Sequence, residues 1–207
     1  MKKTFLLSCL MLAAMPVMAA YTGRVYVDKN KNGVFDQSEK PLAGIKVSDG
    51  LNVVETAADG SFTLPGHERE RFIFITTPSG YKTFNRHYHK IEKKQSGYDF
   101  GLIPYSGRIR KNGSHRYIHI ADTEIFNTEN HADWVNNVHD YARNEQAAFI
   151  IHTGDICYEK GLKAHIKLMN TENMDCPVFY CIGNHDLVKG KYGEELFESI
   201  YGPVYYS

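Results

Sequence analysis

The sequence predicts two units of different architecture: an N-terminal all-β sandwich followed by an α/β domain built on a parallel sheet. Three observations carry that reading. Between Tyr21 and Tyr105, short runs such as TGRVYV, GIKVS, RFIFITTP and SGYDFGLI are separated by proline and glycine turn signals, the grammar of an all-β domain. From Arg116 onward, the runs YIHIA, AFIIHT and VFYCIG alternate with helical stretches. Their strand ends recur at intervals of about thirty residues, the length of a βαβ unit. The join between these regions, PYSGRIRKNGSHR, is polar and glycine-bearing. The expected divisions are residues 1–19, 21–105 and 116–207.

Residues 1–19 read as a secretory signal peptide. Two lysines precede an apolar stretch from Phe5 to about Val17, and Val17-Met18-Ala19 supplies the small-residue cleavage pattern. That stretch is too short for an ordinary membrane span. A lipoprotein reading through Leu6-Leu7-Ser8-Cys9 is weaker, because the apolar region runs on past Cys9. The mature protein is therefore expected to be exported, to the periplasm, the cell surface or beyond, without a membrane span. Export permits disulfides, but only Cys157, Cys176 and Cys181 follow the signal. If PVFY between the last two is a strand, their Cα atoms stand roughly 16 Å apart, too far to bridge. Cys157 has a route to Cys181 if both lie at the same end of neighbouring strands, and buried thiols are the expected state. Lysines plus arginines equal aspartates plus glutamates, 24 of each, so no field directs the chain to nucleic acid or an acidic membrane. Oligomeric state leaves no trace in the sequence.

In the β region, Asp59-Gly60 sits between two alternating runs as a hairpin turn would, and Pro41, Pro65, Pro78 and Pro104 punctuate the rest. One motif there is sharply defined. DKNKNGVFDQSE places Asp28, Asn30, Asn32, Gly33, Asp36 and Glu39 on the template of a calcium loop. Val34 takes the position whose backbone carbonyl such loops use. The competing reading is a solvated hairpin, and the match at every templated position favours structural calcium. Strands rather than helices flank the loop, so the ion would pin it rather than sense a signal. The loop resembles those of bacterial surface β-sandwich repeats.

The α/β region carries the chemistry. A helix is expected from about Asn130 to Arg143, with Trp134, Val138 and Tyr141 as its core-facing stripe. HIADTEIF ends one strand at Asp122, IIHTGDICY ends the next at Asp155, and FYCIGNHD ends the third at Asn184-His185-Asp186. Open parallel sheets bind ligands at the carboxyl ends of their strands, so Asp122, Asp155, Asn184 and His185 should converge on one edge. Oxygen and imidazole donors arranged this way are metal-ligand chemistry. Each has a blander explanation alone: a helix cap, a left-handed turn, a hydrogen-bonded structural histidine. Their order and spacing favour the metal site. His119 and His152 read as packed strand residues, His131 and His139 as helix residues, and His87 and His89 as part of a solvated aromatic and basic loop. None of these is assigned to the site.

These motifs, D-x-E, G-D-x-x-Y and G-N-H-D, resemble the opening motifs of the calcineurin-like metallophosphoesterase superfamily, in particular exported bacterial members with an N-terminal β-sandwich. The resemblance covers the β domain and the first half of the catalytic domain, and implies the first half of an α/β/β/α sandwich. It implies a hydrolase acting on phosphate esters, monoester or diester, with two divalent or trivalent ions of manganese, iron or zinc. In that family Asp155 would bridge both ions, Asp122 would hold the first and Asn184 the second, while His185 would stabilise phosphoryl charge or protonate the leaving group. Two cations about 3.5–4 Å apart polarise the phosphoryl oxygen and create a hydroxide nucleophile at neutral pH. Two departures bear on the metals. Glu124 stands where the family has histidine, and Tyr158 stands where many members have aspartate, as in purple acid phosphatases, so both are candidate ligands. The rival is a non-catalytic exported binding module with a degenerate phosphoesterase domain; Glu124 favours it and the intact G-D and G-N-H-D elements oppose it.

The family would draw further histidines from later strand ends, yet none follows His185, and YGPVYYS resembles a turn entering a strand. The sequence therefore reads as part of a longer protein. The 207-residue chain alone is expected to be poorly soluble, to bind metal weakly and to show little activity.

Overall fold

The computed structural model describes residues 20–84, 86–95, 97–105 and 111–206, so the signal-peptide reading and the middle of the join fall outside the described residues. The first unit contains β1 (Ala20–Val27), β2 (Lys40–Pro41), β3 (Lys46–Ser48), β4 (Val53–Glu55), β5 (Ser61–Pro65), β6 (Phe72–Ile75), β7 (Tyr81–Thr83), β8 (Tyr88–Lys90) and β9 (Phe100–Pro104). β1, β2, β5, β7 and β9 make one sheet, and β3, β4, β6 and β8 make the other. Inward side chains from both fill one core, with Val25 and Leu102 of the first sheet and Val47 and Ile73 of the second fully buried. β1 is the hub, antiparallel to β2 and β5 but parallel to β9.

Asp59-Gly60 forms its turn, with Gly60 at φ 77° and its N–H donating to the Ala57 carbonyl at 2.9 Å. It does not close a hairpin. β4 before it pairs with β3, and β5 after it pairs with β1, so the turn crosses between sheets. Alternation marks each run as a strand but is silent on which sheet it joins.

β6 reads FIFI and is buried on both faces. Ile73 and Ile75 enter the sandwich core, whereas Phe72 and Phe74 join Tyr88 in a second cluster that takes in Tyr206 of the α/β unit. A continuous apolar run is what a strand covered on both sides requires. Arg71 reinforces this contact by pairing with Glu194 at 3.4 Å and Glu198 at 3.1 Å.

The α/β unit has three parallel strands in the order β10 (Tyr117–Ile120), β11 (Phe149–His152) and β12 (Val178–Tyr180). Helix α1 (His131–Asn144) joins the first two strands, and α2 (Tyr158–Leu168) joins the second and third. A 3₁₀ turn (Asn184–Asp186) and α3 (Glu195–Tyr201) follow. Ile150, Ile156, Leu162, Phe197 and Val135 centre the core. The α1 stripe is rotated from expectation. His131, Val135 and Ala142 are buried, while Tyr141 is 60% exposed. Steps of four, three and four residues from His131 through Val138 to Ala142 keep one face inward, and Tyr141 falls off it.

Two further expectations change. Residues 202–206 form no strand; instead the Tyr206 hydroxyl accepts the Tyr180 N–H at 2.9 Å and donates to the Tyr180 carbonyl at 2.7 Å, completing the backbone hydrogen bonds of β12. Aromatic size wins here over strand propensity, since Tyr205 and Tyr206 fill space against Phe74 and His87. Cys157 and Cys176 are buried as anticipated for thiols, but Cys181, just past the end of β12, is exposed.

Candidate metal centre

The three loops after β10, β11 and β12 stay laced together beyond the sheet. Asp122 N–H donates to the Gly154 carbonyl at 3.1 Å, Glu124 N–H to Asp155 at 3.0 Å, and Ile125 N–H to Ile156 at 2.7 Å. The first two loops thus run side by side, joined through the amides of Asp122, Glu124 and Ile125. Their backbone is strained. Asp122, Glu124, Asp155, Cys157 and Tyr158 all have positive φ, five of the nine non-glycine residues so placed among the described residues. These positive-φ residues gather on the edge that carries the candidate ligands, where backbone strain is commonly stored.

Asp155 is seated by two glycines. A Cβ on Gly183 would lie 2.2 Å from both the Asp155 nitrogen and Oδ1, and a Cβ on Gly154 would lie 2.3 Å from the Gly183 nitrogen. This approach lets Asp155 Oδ1 accept the His185 N–H at 2.9 Å. Oδ2 accepts no hydrogen bond among the described residues. Beneath it, the fully buried Asp186 accepts the Cys157 N–H at 2.9 Å through Oδ1 and the Gly183 N–H at 3.0 Å through Oδ2. Asp186 therefore braces the second and third loops. Burial, with the Glu124, Asp186 and Asp155 carboxylates adding to it, pushes the Cys157 thiol up, which makes it a poor nucleophile.

The predicted residues are placed as follows. Asp122 and Asn184 are exposed, and their side chains make no hydrogen bond among the described residues. Glu124 reaches within 3.1 Å of His185 Nδ1. That approach makes no hydrogen bond, and His185 Nδ1 is buried without a hydrogen-bond partner. Tyr158 opens α2, is half exposed, and sets its ring against Phe126 with centroids 5.4 Å apart. A concavity of about 540 Å³ lies beside the first loop, lined by Asp122, Glu124, Asn127, His131 and Trp134 among others. No group of three His, Cys, Asp or Glu side chains closes around a common ion position among the described residues. What the edge offers is donor chemistry: unengaged oxygens of Asp122, Asp155 and Asn184, the Glu124 carboxylate, and an orphaned imidazole nitrogen. That set suits hard to borderline cations.

His119 departs from its expected packing. It is exposed, with Nε2 2.9 Å from Thr153 Oγ1, whereas His152 is fully buried. Asp186, His152, Thr123, Gly154 and Gly183 escaped the sequence reading as site residues. Only the glycines carried a visible signal, standing before Asp155 and Asn184.

The Asp28–Glu39 loop is tightly wound. The buried Asp28 accepts Asn32 N–H at 3.2 Å and Gly33 N–H at 2.9 Å, and the buried Glu39 accepts Lys29 N–H at 2.9 Å and Asp36 N–H at 3.3 Å. Asn30 Oδ1 accepts Asn32 N–H, Asn32 Oδ1 accepts Val34 N–H, and the Asn30 amide donates to Asp36 Oδ2. The Ser38 hydroxyl and N–H hold the Asp36 carboxyl below its usual range. Val34 is 64% exposed, in keeping with a position templated for its carbonyl alone. Tyr26, fully buried two residues before Asp28, has a hydroxyl with no hydrogen-bond partner.

Residues 29–104 match the family described as the N terminal of Calcineurin-like phosphoesterase, and residues 115–206 match that described as Calcineurin-like phosphoesterase. No curated protein matches the chain. The second match spans all three strand-end loops, and the first takes in the sandwich from the calcium-type loop to β9. Sequence match, sheet order and the carboxylate-bearing edge agree: the chain belongs to the calcineurin-like phosphoesterases.

Proposed function

We propose that the protein is an exported, metal-dependent hydrolase of phosphate esters working through two cations and an activated water. One observation carries the reading: Asp155 is pressed onto Gly183 and tied to the His185 N–H, while His185 Nδ1 stays unpartnered beside Glu124. A carboxylate held this firmly at a strand end, with one oxygen unengaged, is preorganised for a charged ligand.

In this reading Asp155 would serve both ions, Asp122 and Glu124 would serve one and Asn184 the other, with Tyr158 at the margin. Manganese, iron and zinc all suit the donors, and such ions when bound polarise a phosphoryl oxygen and supply a nucleophile at neutral pH. His185 faces the transferred group, where its imidazole stabilises charge or protonates the leaving oxygen. Glu124 lies 3.1 Å from Nδ1 of that ring. Residues 1–19 act as the export signal, 21–105 as the sandwich and 116–207 as the catalytic segment. The Asp28–Glu39 loop holds a structural calcium ion, separate from the reaction.

The test is hydrolysis of a chromogenic phosphomonoester and diester by the complete gene product with added manganese. Metal-dependent turnover that disappears in Asp155→Ala supports the reading. Silence from folded, metal-loaded protein overturns it and leaves the binding-module alternative.

A further inference from the structure

We propose that His152 is a positioning residue that locks the first and second strand-end loops into one frame through a single tautomer of its buried ring. The inference rests on the metal-edge reading above but concerns a residue outside the ligand set. His152 is the last residue of β11 and is fully buried. Its Nδ1 accepts the Gly154 N–H at 3.2 Å, so Nδ1 carries no proton. The proton of the neutral ring therefore sits on Nε2, which lies 3.1 Å from Thr123 Oγ1 and donates to it.

Those two contacts have separate consequences. Gly154 immediately precedes Asp155, and Thr123 stands between Asp122 and Glu124. One imidazole thus spans the first and second loops at a fixed width, about that of its own ring. The third loop is reached through the main chain, since the His152 carbonyl accepts the Cys181 N–H at 2.8 Å, three residues before Asn184. The ring itself is clamped, with Tyr180 stacked on it at 5.9 Å and His165 edge-on at 5.3 Å. A flexible side chain with the same hydrogen-bonding groups would hold neither spacing nor orientation. Partners behind a ligand shell typically change metal affinity about 10–100-fold when removed.

The two contacts can be separated by substitution. His152→Asn keeps an acceptor near Gly154 and loses reach to Thr123; His152→Gln keeps a donor toward Thr123 and loses the acceptor; His152→Phe keeps the ring and loses both. Thr123→Val removes the acceptor hydroxyl from the other side. In the metal-free protein, long-range ¹⁵N–¹H correlation should show His152 as the Nε2–H tautomer. Manganese titration followed by calorimetry should then give weakened affinity in the order Phe, then Asn and Gln, then parent, with Phe about tenfold or more weaker. Adding Thr123→Val to His152→Phe should cost nothing further, because the two lose the same bond. An Nδ1–H or charged ring at neutral pH, or additive effects of His152→Phe and Thr123→Val, overturns the proposal. So does parental manganese affinity in folded His152→Phe. If parental protein binds manganese but hydrolyses no ester, the proposed function fails while this inference stands on its tautomer and affinity tests.

Discussion

Adding one methyl group at Gly183 tests the seat of Asp155 directly. Gly183 has φ −103° and ψ 173°, a conformation open to any residue, so Gly183→Ala introduces no backbone strain. What it introduces is a carbon 2.2 Å from the Asp155 nitrogen and Oδ1, and 2.8 Å from Cγ. Non-bonded carbon contacts are comfortable at about 3.5–4.0 Å, so Asp155 must withdraw by roughly 1 Å or more. The obstacle is main chain as well as carboxylate, and the same withdrawal loosens the 2.9 Å bond from His185 N–H. Overpacking plus one weakened bond to a charged group costs about 2–4 kcal/mol. For a chain of this length, that lowers the melting midpoint by roughly 4–16 °C. A displacement of this size at a reacting centre also lowers turnover by about 100-fold. The assays are thermal unfolding by circular dichroism and manganese-dependent kcat/KM on a chromogenic phosphate ester. An unchanged midpoint together with unchanged kcat/KM would refute the argument, because the contact leaves no room for an inert methyl.

Two further outcomes follow from buried polar groups. Calcium at a hundredfold excess over its Kd should stabilise the sandwich by about 2.7 kcal/mol, and Asp28→Ala should abolish the response, since Asp28 anchors the loop through Asn32 and Gly33; a full calcium response in that variant counts against the site. Acid should destabilise the protein through His87 and His165, which burial holds down at about 4 and about 2. Their unfolded values lie near 6.5, so the unfolded chain takes up protons first and stability is lost as pH falls below about 6.5, at up to about 1.4 kcal/mol per unit for each ring. Urea midpoints measured from pH 7.5 down to 5 should fall in the parent and fall less in His165→Phe. A flat profile sinks this reasoning.

Much of the molecule was legible because periodicity records which faces are covered. The runs ending at Asp122, Asp155 and Asn184 are the three parallel strands, and the sandwich strands match their alternating segments. Pairing was not legible. Nothing in NVVETAADGSFTLP says that its two halves belong to different sheets, because partner choice is decided by distant residues such as Tyr21, which pairs with Leu64 across β1 and β5. The α1 face was misjudged at Tyr141 for a related reason. Aromatic size suggests burial, but the helix face is set by what packs on it, and His131 of α1 turns inward to meet the buried His165 of α2 with ring centroids 5.2 Å apart.

The G-N-H-D element shows most sharply where sequence stops informing. Four adjacent residues read as one functional word, yet the fold divides their work. Gly183 provides closeness to Asp155, Asn184 presents an unengaged amide, and His185 gives its N–H to Asp155 while its ring meets Glu124. Asp186 turns inward, fully buried, to hold Cys157 and Gly183 by their amides. A 3₁₀ turn produces this division, because its three-residue period aims consecutive side chains in different directions. Burial of Asp186 then excludes it from direct ligation, although its carboxylate has the same chemistry as that of Asp155. Candidate ligand and brace are therefore distinguished here by orientation, which no residue identity encodes.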